Sequence, residues 1–154
     1  AQGQHCTAIQ HVLNMIKERD DLPQMLAVCE EYDQASIIRS PLLLGMLTGK
    51  LSPDTKFPKD DFRHNWNLQT GQQPQNFQRI EAVRKFFAKT GDPRALAQIA
   101  LAWIWTRSKQ AIPIPGFRTV AQVRENIQAL EFGLLSKEQL RKIDEIFERA
   151  PVES

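Results

Sequence analysis

Gly45-Met46-Leu47-Thr48-Gly49-Lys50 is the segment whose residue types point most directly to chemistry. Glycines let the backbone turn its N–H groups toward an anion, and a neighbouring lysine adds a cation. The spacing excludes the phosphate loop of nucleoside triphosphatases. Three residues separate the glycines where that loop has four, and Leu51 stands where a magnesium-binding Ser or Thr belongs. A looser reading survives, in which flexible backbone and Lys50 border an anionic ligand; the alternative is an ordinary loop with a solvated lysine. Pro115-Gly116-Phe117-Arg118-Thr119 is the second such segment, between an apolar run and a helix start. A helix N-terminus offers free N–H groups and a favourable dipole for an anion, and Arg118 adds a forked donor. Here the alternative is a plain turn with an exposed arginine. Arg39 closes an apolar run, where a charge is costly unless it pairs with an acid or meets a ligand.

Other chemistries find little support. His5, His11 and His64 lack metal-ligand spacing, so no metal site is expected. There is no G-x-S-x-G elbow, no G-x-G-x-x-G and no H-E-x-x-H. Glu30, Glu31, Glu138, Asp144 and Glu145 fall on helices and are expected on solvated faces. Cys6 and Cys29 form no C-x-x-C pair, and a reducing, cytoplasmic compartment is the expectation. A net charge of +2 is too small to argue for nucleic acid or an acidic membrane. The most apolar stretch, 37–47, is short and interrupted by Arg39, Ser40 and Pro41, so no membrane span is expected. The 42% hydrophobic and 25% charged content suits one ordinary globular domain. The chain opens without Met and enters a strand-like run within a few residues, which suggests truncation.

The elements that must position these segments follow from periodicity. Ala8 to Leu13 alternates and reads as a strand. Pro23 opens a helix to Tyr32. Ala35 to Arg39 reads as a strand buried on both faces, as in a parallel sheet. An irregular stretch runs from Leu42 to about Asn76, long enough to be functional or disordered. A helix spans Phe77 to Lys89, and Asp92-Pro93 starts another, with Leu96, Ile99, Ala100 and Trp103 as its buried stripe. Ala111 to Pro115 is a third strand-like run, awkward for a central strand because of its prolines. Thr119 to Gln122 is a capping box opening a helix with Val120, Val123, Ile127 and Leu130 as its apolar stripe, and Ser136 to Gln139 opens a last helix with Leu140, Ile143 and Phe147 facing inward. Alternating β and α elements predict an α/β protein with parallel strands.

Four stretches in order resemble the aldo-keto reductases. Ile9-Gln10-His11-Val12-Leu13-Asn14 is similar to the family's sixth barrel strand. Residues 39–50, RSPLLLGMLTGK, are similar to the seventh strand and its loop. Residues 97–103, AQIALAW, resemble the helix before the eighth strand. Residues 112–118, IPIPGFR, with Glu125-Asn126 after them, resemble that strand and its turn. The resemblance implies an α/β fold that is the C-terminal portion of a (β/α)8 TIM barrel, about strands 6 to 8 with their helices, with residues 1–154 forming a single partial domain. It implies NADP(H) as cofactor and an NADPH-dependent oxidoreductase that reduces aldehydes or ketones in the intact protein. By the same resemblance, Gln10 would bond the nicotinamide carboxamide and Arg39 would stack on the ring, where many relatives carry an aromatic residue. Ser40, Leu42, Gly45 and Lys50 would border the pyrophosphate. Gly116, Phe117, Arg118 and Gln122 would hold the 2′-phosphate end, and Asn126 would meet the adenine.

The family's catalytic tyrosine, lysine, aspartate and histidine sit on the first four strands, and no residue here matches them; the single tyrosine, Tyr32, ends a helix. The chain alone is therefore expected to be inactive, with a carbonyl substrate bound only alongside the missing N-terminal half. Three strands cannot close a barrel. They would leave two open edges and an exposed apolar helix face, so self-association is expected. The alternative is a non-catalytic half-barrel that binds a nucleotide or another protein.

Overall fold

The computed structural model describes residues 6–18 and 21–149. Three parallel strands form one sheet in the order β1 (Ala8–Val12), β2 (Ala35–Arg39), β3 (Ala111–Pro113). Helix α1 (Leu22–Glu31) connects β1 to β2; α2 (Gln73–Lys89) and α3 (Leu96–Arg107) connect β2 to β3. Helices α4 (Val120–Gln128) and α5 (Lys137–Ile146) follow. Each strand returns through helices to a parallel neighbour, the α/β arrangement expected from the alternating pattern.

Register divides the sheet into two unlike faces. Ser36 pairs with Ile9 and Ala111, and Ile38 with His11 and Pro113; Ser36, Ile38, His11 and Ala111 are buried beneath the helices. His11 Nε2 and Ser36 Oγ lie 2.7 Å apart there and satisfy each other. The alternate positions Gln10, Ile37, Ile112, Val12 and Arg39 share the other face, which no helix covers among the described residues. Ile112 remains 51% exposed on it. The expectation that β2 is buried on both faces is therefore corrected. Arg39 is exposed and needs no buried acid to hold it.

Helix α3 is the centre of the core. Its first nine residues, Leu96 to Ile104, are all buried, because it packs against β3, α4 and the segment after β2. A helix apolar around its whole circumference has to be enclosed in this way. Its Trp103 is fully buried, as are Phe87, Leu13, Ile38 and Leu47 of the same core.

Several boundaries differ from the sequence reading. Helix α2 begins at Gln73 rather than Phe77, with Pro74 in its first turn, where a missing N–H costs nothing. Helix α3 begins at Leu96 rather than at Asp92-Pro93, and the side chain of Gln98 accepts the Ala95 N–H at 2.8 Å. Asp92 is occupied elsewhere: it accepts from the Arg94 N–H and from Gln139 of α5. The prolines of the third run fit because β3 is an edge strand. Ser36 N donates to Gln110 O and Ile114 N to Ile38 O, so alternation turns the positions of Pro113 and Pro115 toward the open side. Both capping boxes form, at Thr119–Gln122 and Ser136–Gln139. The apolar stripe of α4, however, is largely uncovered: Val120, Ile127 and Leu130 are 68%, 58% and 61% exposed. Asp144, expected on a solvated face, is buried at 3% exposure beside Arg107.

Candidate functional site

The carboxyl ends of β2 and β3 open side by side, and the chain leaving each builds one wall of a cleft. Ligands of α/β proteins bind at this end of a parallel sheet. After β2 the backbone departs from ordinary geometry. Ser40, Leu43, Leu44 and Gly45 all have positive φ, at 56°, 42°, 53° and 102°. Leu44 and Gly45 interrupt the short 3-10 segment Leu43–Thr48 as a kink, and Gly49 ends it in the left-handed region. Non-glycine residues held there cost about 1–3 kcal/mol each, and such strain concentrates at functional sites. Gly45 is required twice over: its φ suits glycine, and an added Cβ would lie 3.3 Å from Arg63 Nη1. Thr48 Oγ1 donates to the Gly45 carbonyl at 2.7 Å and steadies the kink.

The opposite wall is the turn from β3 into α4. Two N–H groups just before that helix are already engaged: Gln122 Oε1 accepts from both Arg118 N, at 2.6 Å, and Thr119 N, at 3.3 Å. An anion that used the Arg118 and Thr119 N–H groups would have to displace the Gln122 side chain.

Chain 49–72 crosses between the two walls. Phe57 and Phe62 each meet Trp66 edge-on, with ring centroids 6.0 and 5.9 Å apart. Arg63 binds this segment together. Its guanidinium lies 4.2 Å from the Phe57 ring centroid and donates to Leu44 O at 2.8 Å. It also grips Asp61, with Nη2 at 2.6 Å and Nε at 2.9 Å. Those side-chain donors, joined by the Arg63 backbone N–H, hold the Asp61 carboxyl far below the usual carboxylate range. Asp61 Oδ2 in turn meets Arg118 Nη2 at 3.4 Å, closing a bridge from the crossing segment to the β3–α4 turn. On the first wall Lys50 Nζ lies 3.4 Å from Glu125 Oε2.

The cleft so formed has a volume of about 480 Å³. Nine of the eleven site residues expected from sequence line it: Ser40, Leu42, Gly45, Lys50, Gly116, Phe117, Arg118, Gln122 and Asn126. Gln10 and Arg39 do not. They lie on the uncovered sheet face, with Arg39 immediately before the cleft-lining Ser40. Phe62, Arg63 and Glu125 also line it and went unnoticed as site residues, as did Asp61 at its rim. The stretch 49–72 has no periodicity to reveal which side chains converge; its length was the only signal.

The profile of the aldo/keto reductase family matches residues 3–148. The chain is 31% identical over 137 residues to the aldo-keto reductase yakc (NADP(+)) of Schizosaccharomyces pombe, covering 88% of this chain and 39% of that protein. It is 33% identical over 134 residues to a chloroplastic pyridoxal reductase of Arabidopsis thaliana, covering 84% and 33% respectively. The glycerol dehydrogenase AKR11B4 from Gluconobacter oxydans superposes with a TM-score of 0.76 at 26% identity, over 96% of this chain and 44% of that one. The chain thus spans between about a third and a half of these relatives' lengths.

Proposed function

This chain belongs to the aldo/keto reductase family, and on that footing we propose that it is the cofactor-holding, C-terminal portion of a (β/α)8 barrel, about strands 6 to 8 with their helices, in an NADP(H)-dependent reductase of aldehydes or ketones. The supporting observation is the convergence of the nine residues named above on one cleft at the carboxyl ends of two parallel strands. Its chemistry suits a dinucleotide with a 2′-phosphate. Lys50 and a glycine-kinked backbone suit a pyrophosphate, and Arg118 at a helix start suits a phosphate monoester. Gln10 and Arg39 share the face next to the cleft, where the nicotinamide end of an extended cofactor would reach them.

When bound, the cofactor supplies the hydride. Residues of this chain bind and orient it: Ser40, Leu42, Gly45 and Lys50 at the pyrophosphate, Gly116, Phe117, Arg118 and Gln122 at the 2′-phosphate, and Asn126 at the adenine. Protonation of the carbonyl oxygen needs an acid beside it. Tyr32 ends α1, is 60% exposed and does not line the cleft. The proposal therefore assigns the family's tyrosine, lysine, aspartate and histidine to sequence outside these 154 residues, and the chain by itself to an inactive, cytoplasmic part.

Titration of the chain with NADPH, followed by nucleotide fluorescence, tests the reading. Saturable binding is expected, and Arg118→Ala should weaken NADPH more than NADH. Equal losses would reject the 2′-phosphate placement. No saturation at millimolar nucleotide would reject the cofactor site altogether.

A further inference from the structure

The cleft satisfies its own anion-binding groups. Gln122 Oε1 takes the N–H groups of Arg118 and Thr119 just before α4, Glu125 takes Lys50, and Asp61 takes Arg118. Asp61 differs from the other two in how firmly it is fixed. Three donors of Arg63 hold it, its side chain is only 7% exposed, and it stands on the segment facing the β3–α4 turn. The Arg118 side chain is 73% exposed and so is the less enclosed member of the pair. A phosphate arriving at Arg118 meets a guanidinium already turned toward a carboxylate that cannot swing away.

We propose that Asp61 is a specificity-determining residue: by holding Arg118 in the ligand-free cleft, it competes with the 2′-phosphate and lowers the chain's preference for 2′-phosphorylated nucleotides. The inference rests on the cofactor reading above. It concerns a residue outside the four family-like stretches, one that no spacing in the sequence singles out. Hydrogen bonds from Arg63 outweigh desolvation and keep the carboxylate ionised across the neutral range, so the competition is not relieved by protonation. An exposed ion pair is weak, and its removal should change affinity by about three- to fivefold rather than by orders of magnitude.

The test compares adenosine 2′,5′-bisphosphate with ADP, by calorimetric titration of the unaltered chain, of Asp61→Asn and of Glu125→Gln. The two variants remove the same charge from the same cleft. Asp61→Asn should raise affinity for the 2′,5′-bisphosphate by about three- to fivefold and leave ADP unchanged, while Glu125→Gln should leave their ratio where it was. In an Arg118→Ala background the effect of Asp61→Asn should vanish. An unchanged or lowered ratio for Asp61→Asn, or an equal rise in both variants, would overturn the proposal. Hydrogen exchange at Arg63 and Leu44 checks that the crossing segment keeps its fold in Asp61→Asn; if it loosens, Asp61→Glu, which retains charge on a longer arm, should hold the ratio at the unaltered value, and a raised ratio there would equally overturn it. If neither nucleotide binds the unaltered chain, the cofactor reading fails and this inference goes with it.

Discussion

Arg63 Nη1 donates to the carbonyl oxygen of Leu44 at 2.8 Å, joining a residue of the long crossing segment to the strained kink nineteen positions earlier. The kink keeps its unusual geometry because a charged donor from outside holds its carbonyl. The donor stays in place because Asp61 and the Phe57 ring hold its guanidinium.

Arg63→Ala should therefore loosen both partners together. A hydrogen bond to a charged group is worth about 1.5–3 kcal/mol, and Asp61 would keep only the backbone N–H of residue 63 and its distant contact to Arg118. The expected outcome is a loss of about 2 kcal/mol of local stability, seen as faster amide exchange over 42–48 and 55–66 together. Exchange that rises in one stretch alone would show that the two do not depend on each other.

Gly45→Ala should cost about 1–3 kcal/mol, since alanine is strained at φ 102° and its Cβ would crowd Arg63 Nη1 at 3.3 Å. Urea unfolding would measure this as a lower midpoint. An unshifted midpoint would mean that the kink relaxes freely.

Asp144 neutralises two buried arginines. Arg107 Nη2 reaches its Oδ1 at 2.5 Å and Arg149 Nη1 lies 3.7 Å from the same oxygen, while both guanidinium groups stand over Trp103, at 4.7 and 5.0 Å from the ring centroid. Burial, assisted by repulsion from Arg107, already lowers the Arg149 pKa below its ordinary value. Asp144→Ala would leave Glu18 as the acid paired with both cations among the described residues. Breaking a buried pair costs about 3–5 kcal/mol, and equilibrium unfolding should register a loss of that size. A loss under about 1 kcal/mol would mark the cluster as a solvated one.

Acid should release the crossing segment only at low pH. Hydrogen bonds from Arg63 depress the Asp61 pKa, so its contribution is fully present above the ordinary carboxylate value of about 3.9 and is lost as pH falls below it. The Arg63 amide, which donates to Asp61 Oδ1 at 2.9 Å, reports this directly in an NMR titration. Its shift should stay level from about pH 7 down through the ordinary carboxylate value of about 3.9 and move only well below it. A midpoint at or above the ordinary value of about 3.9 would contradict the depressed pKa.

The isolated chain should self-associate through its apolar faces. Val120 and Ile127 on α4, Leu130 just after it, Ile112 on β3 and Ile114 just after it are each about half or more exposed. The outer edge of β3 is a poor template for pairing, because Pro113 and Pro115 stand at the positions that would donate outward. Ile127→Glu should therefore reduce the sedimenting mass while changing unfolding stability by less than about 0.5 kcal/mol. A variant that associates as strongly as the parent would redirect attention to the β1 edge.

Much of the fold could be read locally. Short β-branched runs, the Pro23 helix start and the paired Thr119–Gln122 and Ser136–Gln139 signals each depend on a few adjacent residues, and each formed as expected. Misplaced boundaries had non-local causes. Asp92 has the chemistry of a cap, yet its oxygens meet Arg94 and a glutamine 47 positions away. Asp144 has the pattern of a surface residue, yet two arginines from outside its helix enclose it. On α4, periodicity correctly marked an apolar stripe, but periodicity cannot say whether anything covers it.

By itself the sequence determined the order of strands and helices, the family and the residues that resemble its cofactor stretches, because those depend on identity and spacing along the chain. Tertiary structure alone decided that nine of those residues share one cleft, that Gln10 and Arg39 lie beside it rather than in it, and that Asp61, Glu125 and Gln122 already occupy its cations and N–H groups. Those contacts cross tens of residues, and only the parallel packing of β2 against β3 brings the two walls close enough for one wall's carboxylate to answer the other's charge.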